Sequence, residues 1–337
     1  MKTFIIKNLF YFIPFCCIWI AYNILNKGHS HITGDLGKLG QIPFGTEYVQ
    51  YLNQNYLSDN LVIDTTIVAY KKLQIPNSSK ILTIGDSFSQ QGIFGYQNYL
   101  AHILGFKITN IKIDFRTGLQ LLNSKVIDSS NCKIIILEQV DRHAIQNLCN
   151  INFDVKYKLP KKKNNTQKKD NEDTDIDSNL YYLCWWTRLQ LGYDNPVLKC
   201  NLKQDYFTHN RFSHKLFYYQ EDMLFEKTSK ADIEKAKKNL ILLNKKFSEK
   251  GIKMIFLIAS DKYDVYRPFM TDNSLPVDTT TDELSNIPNV CIINTKPILQ
   301  NIVKNGEKDV YMVNDTHWSY KASKVVAQRL AQVIDFL

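Results

Sequence analysis

ILTIGDSFSQ (Ile81–Gln90) sets a short apolar, β-prone run directly against Gly85-Asp86-Ser87. Helical apolar spacing follows from Gln91 to Leu104, through Phe94, Leu100 and Ile103, and Gly105 supplies a C-cap. Strand, tight turn and helix form the repeating unit of α/β proteins, and the unit recurs downstream. ITNIKID (Ile108–Asp114) predicts a second strand and Leu119–Ile127 a second helix. KIIILEQV (Lys133–Val140) predicts a third strand, apolar without alternation, as a strand covered on both faces should be. Ala231–Lys250 predicts a long amphipathic helix ending at Gly251. IKMIFLI (Ile252–Ile258) and VCIIN (Val290–Asn294) predict the fourth and fifth strands, and Lys321–Leu337 a closing helix. The pattern predicts an α/β fold: a three-layer sandwich with a central parallel sheet.

The 337 residues, 44% hydrophobic and 22% charged, have ordinary globular composition and suffice for one large domain or two small ones. With only 13 Gly and 9 Pro, and no periodic self-similarity, collagen-like and solenoid architectures are excluded. The seven cysteines never show C-x-x-C spacing, which argues against zinc ribbons, thioredoxin-type redox sites and a disulfide framework. No Walker or dinucleotide signature occurs, so neither a cofactor nor a metal is expected. The net charge of +9 suits an acidic polysaccharide or an anionic membrane surface.

Three regions follow from the N-terminus onward. LFYFIPFCCIWIAYNIL (Leu9–Leu25) is free of charge and lies at the short end of what spans a bilayer. Tyr11, Trp19 and Tyr22 are interfacial aromatics, and Lys2 and Lys7 precede the run. The positive-inside rule then gives residues 1–27 as a signal-anchor with a cytosolic tip, leaving the rest periplasmic or extracellular. A cleaved signal peptide is the alternative, but no small-x-small site follows the run. Residues 28–75 read as a juxtamembrane stem, and residues 76–337 as the main α/β domain. An insertion at about 150–230 breaks the strand–helix rhythm. Within it, residues 158–179 are charged and nearly free of apolar side chains, as in a surface loop. YYLCWWTRLQLGY (Tyr181–Tyr193) is aromatic-rich, suiting either sugar stacking at Trp185 and Trp186 or packing of an inserted helix.

In an open parallel sheet, ligands bind beyond the carboxyl ends of the strands, which is where Ser87 would be presented. Its backbone N–H near a helix start can stabilise an oxyanion. A serine hydroxyl needs a base. VNDTHWSYKAS (Val313–Ser323) supplies Asp315 and His317 two residues apart, just before the last helix. A neutral imidazole can take the Ser proton while a carboxylate fixes its tautomer. Taken alone, Gly-Asp-Ser suits a turn, Asp315 a helix cap and His317 the core; their joint occurrence at corresponding ends of an α/β chain points to acyl transfer. Asp86 reads as the residue that fixes the Ser87 turn. Arg142 would pair with Glu138 at i, i+4 if this segment is helical.

The strand followed by GDSFS, and the terminal D-T-H-W (Asp315–Trp318), resemble the SGNH (GDSL-type) hydrolase superfamily, specifically the branch of alginate O-acetyltransferase-like proteins. IFLIASDKYDVYRP (Ile255–Pro268) is similar to a strand–P-x-K-x-x-x-Y segment of that branch. The resemblance covers Ile81–Leu337 except for the region from Lys158 to about Tyr218. It implies a flavodoxin-like sandwich with Ser87 as nucleophile, His317 as base and Asp315 as orienting acid. It also implies an oxyanion hole made by the Ser87 N–H, Gly118 and a polar residue after the third strand. The superfamily expects Asn at that last place; here Gln139 or Arg142 stands in, and Gly118 equally suits a turn. Trp318, Lys262 and Tyr266 are supporting positions, the latter two as rim or as packing. The implied activity is O-acetylation of an exported polysaccharide or cell-envelope glycan. A separate membrane-bound O-acyltransferase would supply acetyl groups, and nucleic acid is not an expected partner. A carbohydrate or lipid esterase and a non-catalytic scaffold are the alternatives.

Overall fold

The computed structural model describes residues 11–19, 33–40, 42, 44, 65–69, 80–112, 127, 131–154 and 195–335. Six parallel strands form one sheet: β1 (Thr65–Ala69), β2 (Ile81–Ile84), β3 (Ile108–Lys112), β4 (Ile134–Val140), β7 (Lys253–Ala259) and β8 (Cys291–Asn294). Their order is β1-β3-β2-β4-β7-β8. The five strands read from sequence are all present, and β1 adds a sixth at the edge beside β3. β5 (Val197–Asn201) and β6 (Lys215–Tyr219) form a separate antiparallel pair inside the insertion.

The helices are α1 (Asp35–Gly40), α2 (Tyr96–Leu104), α3 (Asp141–Cys149), α4 (Lys230–Ser248), α5 (Lys262–Tyr266), α6 (Thr295–Lys304) and α7 (Tyr320–Asp335). Strand alternation sends successive side chains to opposite faces, so a run with no polar alternation feeds two cores. Leu82, Ile84, Ile135, Leu137, Phe256 and Ile258 pack with Leu148 of α3 and Leu240 and Leu243 of α4. Ile81, Ile136, Ile255, Leu257 and Ile293 pack with Leu100 of α2, Leu299 of α6 and Leu330 of α7. These are the two outer layers of the expected sandwich. A capping box at the start of α4 joins Ser229 and Asp232, which accounts for its sharp beginning.

Two differences from the sequence reading have physical causes. The helix expected from Gln91 begins only at Tyr96, after 3₁₀ turns at Ser87–Gln90 and Gly92–Phe94. Side chains take carbonyls that a continuous helix would use: Gln97 and Asn110 both donate to Ser89 O, and Asn98 donates to Gly92 O. Second, the 28–75 segment contributes to the domain itself. It provides β1, and it provides α1, whose Leu36 is fully buried.

Residues 11–19 are helical, with Tyr11, Phe12, Phe15, Ile18 and Trp19 exposed. No helix among the described residues is long and apolar enough to cross a membrane. The expected helix Leu119–Ile127, apart from Ile127 itself, and the 158–193 stretch lie outside the described residues.

Candidate active site

The carboxyl ends of β2 and β4 build the serine turn. Asp86 caps the 3₁₀ turn: Oδ1 accepts from Phe88 N at 3.0 Å, and Oδ2 accepts from Val140 N at 2.7 Å. These bonds tie the turn that carries Ser87 to the end of β4. Glu138, fully buried on β4, accepts from Asp86 N at 3.0 Å and from Ser89 Oγ at 2.8 Å. Burial, reinforced by the Asp86 charge, pushes the Glu138 carboxyl well above its usual range. The remaining letters of GDSFS follow from these contacts. A Cβ at residue 85 would lie 2.2 Å from Glu138 Oε2 and 2.4 Å from Ser89 Oγ, so only glycine fits. Gly85→Ala is expected to cost about 2–3 kcal/mol in urea unfolding. A loss below about 0.5 kcal/mol would mean that Glu138 swings away freely.

Ser87, the first residue of that turn, is exposed, while its neighbour Phe88 is fully buried. The Phe88 ring lies 5.0 Å, centroid to centroid, from His317 and 4.9 Å from Trp318. Trp318 donates from Nε1 to Tyr311 OH at 2.9 Å and is wholly buried. These tilted and edge-on ring contacts bring the serine turn and the Asp-Thr-His loop to one rim of the sheet. No hydrogen bond joins Ser87 Oγ to His317; the two turns meet through Phe88, whose ring borders the imidazole.

His317 Nδ1 lies 2.5 Å from Asp315 Oδ1, which also accepts from the His317 backbone N–H at 3.0 Å. An ionised carboxylate only accepts, so the proton sits on Nδ1 and Nε2 carries the free lone pair. Burial alone would raise Asp315, but the hydrogen bond and charge of His317 prevail and hold it at about 2. Burial likewise opposes the imidazolium, and the Asp315 contact together with the Asp35 charge outweighs it, so His317 lies above its ordinary 6.5.

Asp35 was not read from the sequence as a site residue. Its Oδ1 accepts from Thr316 N at 2.7 Å, its Oδ2 accepts from Thr316 Oγ1, and its own N–H donates to Asp315 Oδ2 at 3.2 Å. Gly34, at φ +76°, lets the chain pass against Asn314, where a Cβ would meet the carbonyl at 2.2 Å. The only signal was Gly-Asp within ITGDLGKLG, which looks like any loop turn. Asp35 Oδ2 lies 3.6 Å from His317 Nδ1, and burial and then repulsion from Asp315 raise its pKa. Asp35, Asp315 and His317 are close enough for a shared cation, but the Nδ1–Asp315 bond already occupies the ring nitrogen.

The signs follow from these shifts. His317 contributes stability that is complete below 6.5 and is lost as pH rises through its higher folded value. Asp315 contributes above 3.8, a contribution lost as pH falls towards 2. A base must be neutral, so kcat/KM should rise with pH through a midpoint above 6.5. Asp35→Asn removes one charge that favours the imidazolium and should lower that midpoint. An unshifted profile would show that Asp35 only positions the loop.

The remaining candidates fall differently. Gln139 Nε2 donates to Asp86 Oδ2 at 3.1 Å, while its Oε1 accepts from Asn147. Arg142 Nη1 binds Asp222 at 3.2 Å and also Asp261, and its backbone N–H donates to Asp261 at 2.7 Å. Both oxyanion candidates therefore hold the turn and the β4–β7 rim together, and Arg142 does not pair with Glu138. Glu138 lies in strand β4 and Arg142 in α3, so the two do not share the helical i, i+4 spacing that such a pair needs. Gly118 lies outside the described residues. Lys262 and Tyr266 are completely buried, so packing wins over the rim reading. Lys262 Nζ donates to Met312 O (2.7 Å), Val313 O (3.0 Å) and Asp315 O (3.1 Å). Burial pulls its pKa down to about 7, against the nearby charges of Asp35 and Asp315.

The fold and site define a three-layer α/β protein with a serine turn and an Asp-x-His loop at the carboxyl rim of one parallel sheet. Residues 215–336 match the model of a family described as SGNH hydrolase-like domain, acetyltransferase AlgX. The matched stretch contains Lys262, Tyr266, Asp315, His317 and Trp318; Ser87 precedes it. No curated protein matches the chain.

Proposed function

We propose that the protein is a membrane-anchored, extracytoplasmic serine acyltransferase that O-acetylates an exported polysaccharide or cell-envelope glycan. The observation that carries this reading is His317, bound to Asp315 through Nδ1, with its ring against that of Phe88, one residue from Ser87. Nε2 takes the Ser87 proton as Oγ attacks an acyl ester, and the Ser87 N–H receives the oxyanion. The imidazolium then gives its proton to the departing alkoxide, leaving acyl-Ser87. A sugar hydroxyl, deprotonated by the same nitrogen, takes the acyl group and restores the serine. The charge-free run Leu9–Leu25 and the exposed aromatics of residues 11–19 support anchoring. The net +9 supports an acidic acceptor, and a separate multi-spanning acyltransferase would deliver acetyl groups from the cytosol.

The test supplies 4-nitrophenyl acetate with acidic oligosaccharides as acceptors. Acetylated acceptor is expected with wild type and not with Ser87→Ala. Ester hydrolysis with no acceptor modification would make the protein an esterase, a reading that the exposure of Ser87 to water favours. Failure of a fluorophosphonate to label Ser87 would leave a scaffold.

A further inference from the structure

Away from the serine and histidine, three carboxylates meet inside the protein. Asp141 opens α3, Asp264 lies on α5, and Asp278 lies in the loop after α5. They are 3%, 3% and 4% exposed, so water does not solvate them. One oxygen of each lies within 4.8 Å of the others. Two oxygens on opposite sides of a Ca²⁺ ion, each about 2.4 Å away, would be separated by about that distance.

Isolated buried carboxylates are costly and are ordinarily paired or bound to metal. Both oxygens of Asp141 and both of Asp264 are buried with no hydrogen-bond partner. Thr281, 0% exposed, interacts with Asp141, yet its hydroxyl completes no hydrogen bond and remains a further orphan oxygen at the same place. Asp278 is fixed by Thr280, whose N–H and hydroxyl donate to Oδ1 at 2.7 and 2.8 Å. The nearest ammonium, Lys296, is already engaged by Asp282 Oδ2 at 2.7 Å and by Asp278 O at 2.9 Å. A cavity of about 350 Å³, lined in part by Asp264, Asp278 and Lys296, gives access.

We propose that Asp141, Asp264 and Asp278, with the Thr281 hydroxyl, form a binding site for a hard divalent cation of the Ca²⁺/Mg²⁺ class. The donor set is oxygen only, with no thiol or imidazole to favour a softer metal. The ion would offset two of three buried negative charges and tie together the segments after β4 and β7. Those segments also carry Arg142 and Lys262, so the ion braces the catalytic rim without touching it.

The experiment uses the full chain, stripped with EDTA and dialysed against CaCl₂ or MgCl₂, with bound metal measured by mass spectrometry and Tm by calorimetry. About one bound ion per chain is expected, with Tm raised on the order of 5 °C at saturating metal. Asp264→Asn should abolish both effects, while in EDTA it should match or exceed wild type in Tm because one of three repelling charges is gone. Asp272→Asn, an exposed carboxylate nearby, should leave the response intact. Metal-free protein whose Tm is the same in EDTA, Ca²⁺ and Mg²⁺ would overturn the proposal and leave carboxyls sharing protons. That wild-type result stands even if Asp264→Asn fails to fold.

Discussion

His317→Ala is expected to lower acyl turnover by about 10³–10⁴-fold, and Ser87→Ala by a similar amount. Nδ1 is committed to Asp315 at 2.5 Å, so Nε2 alone can move the proton. Asp315→Asn should fall in the same range, because the amide can donate to Nδ1 and so favours the wrong tautomer. The double variant Ser87→Ala/His317→Ala should be hardly worse than either single, since the two act as one unit. Single-turnover release of 4-nitrophenol measures all four. Multiplying losses in the double variant would mean that the serine and the histidine work independently, and the acyl-enzyme scheme would fall.

Lys262→Met should produce the second-largest effect, although Lys262 touches no reacting atom. Its ammonium gathers three carbonyls, at residues 312, 313 and 315, of the loop that carries His317. Methionine keeps the volume and removes every donor. Stability should change modestly, by about 1–3 kcal/mol, because losing these hydrogen bonds is partly offset by no longer burying an ammonium. Activity should drop about 10²-fold, since a displacement near 1 Å at a catalytic base costs that much. The loss should appear in kcat with KM nearly unchanged. A proportional rise in KM would instead indicate general loosening of the rim.

Much of this was legible in the sequence because period and turn chemistry are local. Runs such as KIIILEQV can satisfy their side chains only between two layers, so the sandwich follows from residue order alone. Gly85, Asp86 and Ser87 announce a strand-to-helix turn, and Asp315 and His317 are too close in sequence to be far apart in space. Longer-range choices were not legible. Nothing in LEQVDRHA says whether Arg142 faces the serine or the next strand. The answer depends on Asp222 and Asp261, 80 and 119 residues away. The sequence leaves Lys262 open between rim and packing, because lysine ordinarily seeks water. Only the convergence of three loop carbonyls makes its burial tolerable.

By itself, then, the sequence determined the alternation of strands and helices, the presence of a Gly-Asp-Ser turn after β2 and the adjacent acid–imidazole pair, each signalled by residues within a short span. Tertiary structure alone decided which carboxylates surround that imidazole, why residue 85 has no room for a side chain, and where Asp141, Asp264 and Asp278 meet. Those outcomes depend on charges and shapes brought together across as many as 281 positions, as between Asp35 and Thr316, and no local pattern encodes them.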